Sequence, residues 1–229
     1  MTISRLKGVK RALKYYIFNH PDKFLVNISG LLHVGANSGQ ERFVYNELGL
    51  KVIWIEPIPS VFKKLEQNLV NFKDQNSYKE LITNVDKKEY KLNIANNNGA
   101  SSSILEFKHH SDIKKWSGVK YSESIQLSSL TLPTFIKNKN IDLKKYQALV
   151  LDTQGSELLI LQGCVPILEN FKYIKLEVPD FESYKGCCQV KDIEAFMEYY
   201  GFEEYSKHRF ISDPNIGSYF DIVYKRFRI

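Results

Sequence analysis

Short apolar runs alternate with amphipathic stretches along most of this chain. The first run, GLLHV (Gly30–Val34), predicts a strand, and Glu41–Leu48, ended near Gly49, predicts a helix. KVIWIEP (Lys51–Pro57) predicts a second strand, rich in Val, Ile and Trp. Val61–Val70 predicts a second helix, with Val61, Leu65, Asn68 and Leu69 on related faces. YKELITNVD (Tyr78–Asp86) reads as a third strand, and EYKLNIANNNG (Glu89–Gly99) as a further strand running into a polar loop. YQALVLDTQG (Tyr146–Gly155) is a buried strand leading into a helix over Ser156–Gln162. YIKLEVP (Tyr173–Pro179) is the next strand, Ile193–Tyr200 a helix closed by Gly201, and YFDIVYKRF (Tyr219–Phe227) an alternating final strand.

Strands alternating with helices predict an α/β fold with a mostly parallel sheet and helices on both faces. The late hairpin-like strands add an antiparallel edge. The 229 residues suit one domain. Residues 1–29 read as an N-terminal basic helical extension packed on it. Leu6, Val9, Leu13 and Tyr16 follow one face, and Arg5, Lys7, Lys10, Arg11 and Lys14 decorate the others. Ligands in such sheets bind at the carboxyl ends of the strands.

Composition narrows the setting. Cys164, Cys187 and Cys188 form no C-x-x-C and no His cluster has zinc spacing, so reduced thiols and a cytoplasmic location are expected. No apolar run approaches the roughly 20 residues that span a bilayer. A net charge of +6 suits an anionic partner, or simply a lysine-rich solvated surface.

Four stretches carry candidate chemistry. Gly35-Ala36-Asn37-Ser38-Gly39 follows the first strand, where Gly35 permits a left-handed turn. Ser38 and Glu41 fit an S-x-x-E capping box, whose helix start would face an anion. Glu56 ends the second strand 21 positions after Gly35, placed to accept hydrogen bonds from ribose hydroxyls. Asp152-Thr153-Gln154-Gly155-Ser156-Glu157 presents an acid at the end of a buried strand. IANNNGASSSILEF (Ile94–Phe107) is a polar loop suited to a hydroxylated ligand, with His33, His109 and His110 as candidate bases.

Taken in order, HVGANSGQE, VIWIEPIPSVFKKLEQNL, NNNGASSSIL, LVLDTQGSELLILQGC and LEVPDFESYKGC resemble blocks of the FkbM family of S-adenosylmethionine-dependent methyltransferases, over roughly Leu31–Tyr224. The resemblance implies a Rossmann-like class I methyltransferase fold with S-adenosylmethionine as cofactor. It implies that Gly35, Ala36, Asn37 and Gly39 wrap the methionine part, with Ser38, Gln40, Glu41 and Thr153 nearby, and that Glu56 binds the ribose. Pro57 and Ile58 would lie beside the adenine, with Asn84 and Val85 on its other side. The chain departs from the commoner pattern at His33 and Gln154, where acids are usual, and at Val150, where a Lys is usual. A subgroup shares the His and Gln forms together with the serine run. His33 is thereby expected to tune the cofactor's polar contacts.

Transfer to a neutral hydroxyl calls for a general base. Asp152 is the first candidate, followed by Glu177 and His109. If Asp152 and Glu177 meet, they could instead hold a divalent cation through hard oxygen ligands; the sequence leaves both open. The acceptor is expected to be a small molecule or glycan carrying a sugar hydroxyl. Ser101, Ser102, Ser103, Gln154, Tyr184 and Lys185 are its candidate contacts. Two other classes compete: a basic nucleic-acid-binding or RNA-modifying protein of the same fold, and a nicotinamide-dependent oxidoreductase. The Gly-x-x-x-Gly spacing disfavours the latter, and aromatics at core spacing disfavour the former.

Overall fold

The computed structural model describes residues 20–227. The helix expected over Leu6–Tyr16 lies outside them. The main sheet has seven strands in the order β3-β2-β1-β7-β8-β10-β9. They are β1 (Gly30–Val34), β2 (Lys51–Ile55), β3 (Gln75–Tyr78), β7 (Ala148–Leu151), β8 (Tyr173–Pro179), β9 (Phe202–Asp213) and β10 (Gly217–Arg226). From β3 to β8 every pairing is parallel, and β10 runs antiparallel to both β8 and β9. The sheet is therefore mostly parallel with an antiparallel edge, as the sequence pattern predicts.

Parallel strands must be covered on both faces, and two apolar clusters do so. One holds Leu32, Val34, Leu149 and Leu151 against helices α3 (Leu132–Asn138), α4 (Glu157–Cys164) and α5 (Val190–Tyr199). The other holds Leu31, Val52, Trp54 and Val150 against α1 (Arg42–Glu47), α2 (Pro59–Leu69) and the turn carrying Phe24 and Leu25. Each strand thus sends alternate side chains to opposite faces.

A second sheet, β4-β6-β5, packs beside the first. Here the predicted Tyr78–Asp86 strand is corrected: it divides into β3, in the main sheet, and β4 (Leu81–Thr83), paired with β6 (Tyr121–Thr131). β5 (Glu89–Ala95) pairs antiparallel with β6, leaving the Asn96–Ser103 loop at the main sheet's carboxyl edge.

Candidate functional site

β1, β2 and β7 end side by side, and the segments leaving them wall one cavity. Gly35 leaves β1 at φ 81°, and a Cβ there would fall 1.8 Å from the Asp152 carbonyl oxygen. Only glycine lets the two strand exits touch. Asn37 follows at φ 45°, a conformation Asn tolerates. Its N–H donates to Glu56 Oε2 at 2.9 Å, and the Ile58 N–H donates to Oε1 at 2.9 Å. Glu56 is only 4 % exposed, and burial lifts its carboxyl to about 7. Each oxygen keeps lone-pair capacity for one further donor from the cavity.

The capping box expected at Ser38 and Glu41 does not form. Glu41 occupies the N-cap position of α1 with no side-chain cap. Instead Asn37 Oδ1 accepts from the Ser38 N–H (2.7 Å) and from Gln40 Nε2 (3.2 Å), so the turn is closed from Asn37. Gln40 lines the cavity, whereas Ala36 is buried in the core and Gly39 backs onto Leu65.

The far end is apolar. Pro57 and Ile58 face it, opposite Leu81, Ile82 and Leu92. Asn84 and Val85, expected there, are not brought to the cavity. β4 ends at Thr83, whose Oγ1 bonds the Val85 backbone and turns the chain away. Asn84 then packs on Gly163, and Val85 is 43 % exposed. Leu81 and Ile82, three residues earlier, take the position.

The Asn-rich loop closes the top. Gly99, Ala100, Ser102 and Ser103 line the cavity. Ser102 Oγ accepts from the Ala95 N–H at 3.0 Å, and Ser103 Oγ donates to the Gln154 carbonyl at 2.8 Å. Ser101 sits behind the wall, its Oγ 2.8 Å from His110 Nε2. His110 is buried, lowered to about 4 by burial, and its Nδ1 lies 2.8 Å from Tyr219 Oη. His109, the candidate base, is instead exposed, pairs with Asp112 at 3.0 Å and does not line the cavity. Lys185 is likewise exposed and contributes its N–H to Glu106.

At the β7 end a hydrogen-bonded relay orders the acids. Tyr184 Oη donates to Gln154 Oε1 at 2.7 Å. Gln154 Nε2 donates to Asp152 Oδ1 at 2.7 Å and reaches Glu177 Oε1 at 3.4 Å. Gln154 itself is held at φ 55°. Glu157, which the sequence suggests only as a first-turn residue of the helix, fixes that turn: it accepts from the Thr153 N–H (2.8 Å), Thr153 Oγ1 (3.0 Å) and the Gly155 N–H (3.0 Å). Burial lifts Glu157 to about 7 and Asp152 to about 6. Burial and then the Asp152 charge hold Glu177 well above the usual carboxylate range. Asp152 and Glu177 thus do meet, through an amide. Among the described residues no group of three or more His, Cys, Asp or Glu side chains is arranged to hold a metal ion.

Asp152 also borders a second cavity, with His33, Glu41, Lys175, Glu177 and Asp221. His33 belongs here and not with the first cavity. Strand alternation turns it to the face opposite Val34, where it stacks on Trp54 at 4.9 Å. Burial, and next the Lys175 charge, lower it to about 3, so it is neutral.

Comparisons with known proteins agree with this architecture. No curated protein matches the chain. TrmK of M. capricolum, in complex with S-adenosyl-homocysteine, superposes with a TM-score of 0.54 at 11 % identity, covering 92 % of this chain and 67 % of its own. Magnesium protoporphyrin IX methyltransferase of Synechocystis PCC 6803, with bound SAM, gives 0.50 at 10 % identity, with 99 % and 86 % covered. A putative tRNA (m1A22) methyltransferase of Streptococcus pneumoniae gives 0.50 at 12 %, with 90 % and 73 % covered. These share the fold, that of class I methyltransferases. The model of the methyltransferase FkbM domain matches residues 33–204, most of the chain. The chain belongs to the FkbM family of S-adenosylmethionine-dependent methyltransferases.

Proposed function

We propose that this enzyme methylates a hydroxyl of a sugar or glycan acceptor, with Asp152 as the general base. The observation that carries the reading is the position of Asp152. It ends a central strand at the wall of the first cavity, and its Oδ1 is oriented by Gln154.

The first cavity fits the cofactor on three counts. Glu56 presents a buried carboxylate with capacity for two hydroxyl donors. Ile58, Leu81, Ile82 and Leu92 supply an apolar slot for a base. Gly35, Asn37 and Gln40 supply the polar end for an amino-acid tail. When bound, S-adenosylmethionine supplies a methyl group on a sulfonium, whose bonding pair stays on sulfur as the acceptor oxygen makes the new bond.

The chain's own residues then have three tasks. The Ser102–Gln154 region excludes water by closing the loop onto the β7 turn through Ser103. The relay from Tyr184 aims the Asp152 carboxylate. Asp152 takes the hydroxyl proton, and a group at about 6 is ionised yet basic enough to do so near neutrality. Such a base contributes roughly 10²–10⁴-fold.

Labelled methyl transfer to a panel of free and nucleotide-linked sugars tests the acceptor class. Incorporation into sugars is expected; incorporation only into RNA or protein sinks it. Asp152→Asn should lower kcat by about 100-fold or more while cofactor affinity holds, and an unaffected rate would move the base elsewhere.

A further inference from the structure

We infer that the second cavity is an acceptor subsite for an ammonium group, so that the methylated hydroxyl belongs to an amino-bearing polyol such as an amino sugar. This rests on the O-methyltransferase reading above and names the substrate class within it.

Position argues first. The second cavity, of about 170 Å³, shares one lining residue with the first, and that residue is Asp152. A molecule held in the second cavity therefore lies against the proposed base. The strand period builds this wall. His33 on β1, Asp152 after β7, Lys175 and Glu177 on β8 and Asp221 on β10 all face one side of the sheet.

Charge argues next. Lys175 is already neutralised, by Asp22 at 2.7 Å and Asp221 at 3.6 Å. Burial alone would lower it, but those carboxylates outweigh burial and hold it charged. Among the described residues Glu41, Asp152 and Glu177 have no ion-pair partner. Unpaired carboxylates are costly inside a protein, and here burial raises all three. A cation entering the cavity would favour the ionised form of each. An ammonium needs three acceptors and no fixed coordination geometry, which suits carboxylates not arranged for a metal ion.

His33 is an independent pointer to a ligand. It is 5 % exposed, lines the cavity and is held neutral. Its Nδ1 reaches Tyr45 Oη only at 3.4 Å, and its Nε2 has no hydrogen-bond partner among the described residues. Among the described residues Tyr224 Oη is the one side-chain N or O atom that is fully buried without a partner, so this His33 nitrogen is not enclosed but open to the cavity that His33 lines. A hydroxyl beside the ammonium, on the same polyol, would satisfy this one.

Calorimetry on the full chain saturated with S-adenosylhomocysteine tests this with glucosamine, N-acetylglucosamine and glucose. Glucosamine should bind about 10–100-fold more tightly than the two neutral sugars, the range expected for a hydrogen bond to a charged group. Glu41→Gln and Glu177→Gln should each erase most of that preference while S-adenosylhomocysteine affinity stays within about twofold. Equal binding of the three sugars, or no binding of any, overturns the subsite. So does a loss of cofactor affinity in both variants, which would assign these acids to the cofactor. The parent reading fails separately. If glucosamine binds as predicted but labelled methyl reaches no hydroxyl of any amino sugar, the subsite stands and the O-methylation reading falls. If neutral sugars are methylated as well as amino sugars, the reverse holds.

Discussion

Glu56→Gln separates a structural role for this carboxylate from a cofactor-binding one. In the fold Glu56 accepts one backbone N–H on each oxygen, from Asn37 and Ile58, both at 2.9 Å. Two lone-pair directions remain for two cofactor hydroxyls. Each hydrogen bond to a charged group contributes about 1.5–3 kcal/mol, and a neutral amide keeps only part of that. The substitution should therefore cost roughly 2–4 kcal/mol of binding, or about 30- to 700-fold in Kd at pH 8. The amide nitrogen must also face a backbone donor, a local cost of about 1–3 kcal/mol that relief of the buried charge partly offsets. Titration calorimetry with S-adenosylhomocysteine reads the first effect and urea unfolding the second. Acidity supplies a control. Burial holds Glu56 at about 7, so at pH 6 most of the wild-type carboxyl is protonated and affinity should fall about tenfold from pH 8. The variant should lack that slope. If folded Glu56→Gln binds within about twofold of wild type at pH 8, the argument for ribose recognition fails.

Three further outcomes are expected. Gly35→Ala places a Cβ 1.8 Å from the Asp152 carbonyl in a left-handed turn, so it should destabilise by about 3 kcal/mol or more in urea melts; wild-type stability would mean the strand exits are not in contact. Tyr184→Phe removes the 2.7 Å bond that holds Gln154, so kcat should fall about tenfold and the acid limb of the pH–rate profile should move, with cofactor affinity kept; an unchanged profile would show that Gln154 needs no such support. Stability should fall from pH 6.5 to 8. Glu56 and Glu157 are raised to about 7 from 4.5, so the folded chain holds protons that the unfolded chain has lost; that stabilisation is complete below 4.5 and is lost as pH rises through 7. His33 and His110, lowered to about 3 and about 4, oppose this while the unfolded imidazoles lose their protons around 6.5, by roughly 0.4 kcal/mol each over the window. The two carboxyls together give a loss of roughly 1.5 kcal/mol over that window, about 0.8 kcal/mol net of the histidines, and a flat or rising urea-unfolding profile would contradict it.

The legibility of this fold in its sequence tracks burial. β1, β2, β7 and β8 are buried on both faces and read as apolar runs. β6 (YSESIQLSSLT) buries only Ser129 and β9 is mostly polar, so neither stands out from loop composition. α3 follows β6 directly, and its signal, Thr131 capping the Thr134 N–H ahead of Pro133, is visible only once a helix is sought there. In the site, Gly35, Glu56 and Asp152 stand out because each ends a buried strand. Lys175, Asp221 and Glu157 do not, because each gains its meaning from a partner distant in sequence or from a turn in left-handed backbone. His109 and His110 differ by one position, and only the packing of Trp116 and Phe107 on His110 decides which ring turns inward.

The His110 staple has a consequence for binding entropy. One imidazole joins the Ser101 loop to β10 through Tyr219, and Ser183 joins the same cluster from the segment after β8. Three chain segments far apart in sequence are thereby immobilised before any ligand arrives. Ordering a loop on binding normally subtracts from affinity, about 0.5–1.5 kcal/mol for each side chain immobilised. Here that ordering is charged to folding, so the Asn96–Ser103 loop meets any ligand already shaped. Selectivity in such a site comes from rejection of ill-fitting molecules, because a stiff wall cannot remodel itself around them.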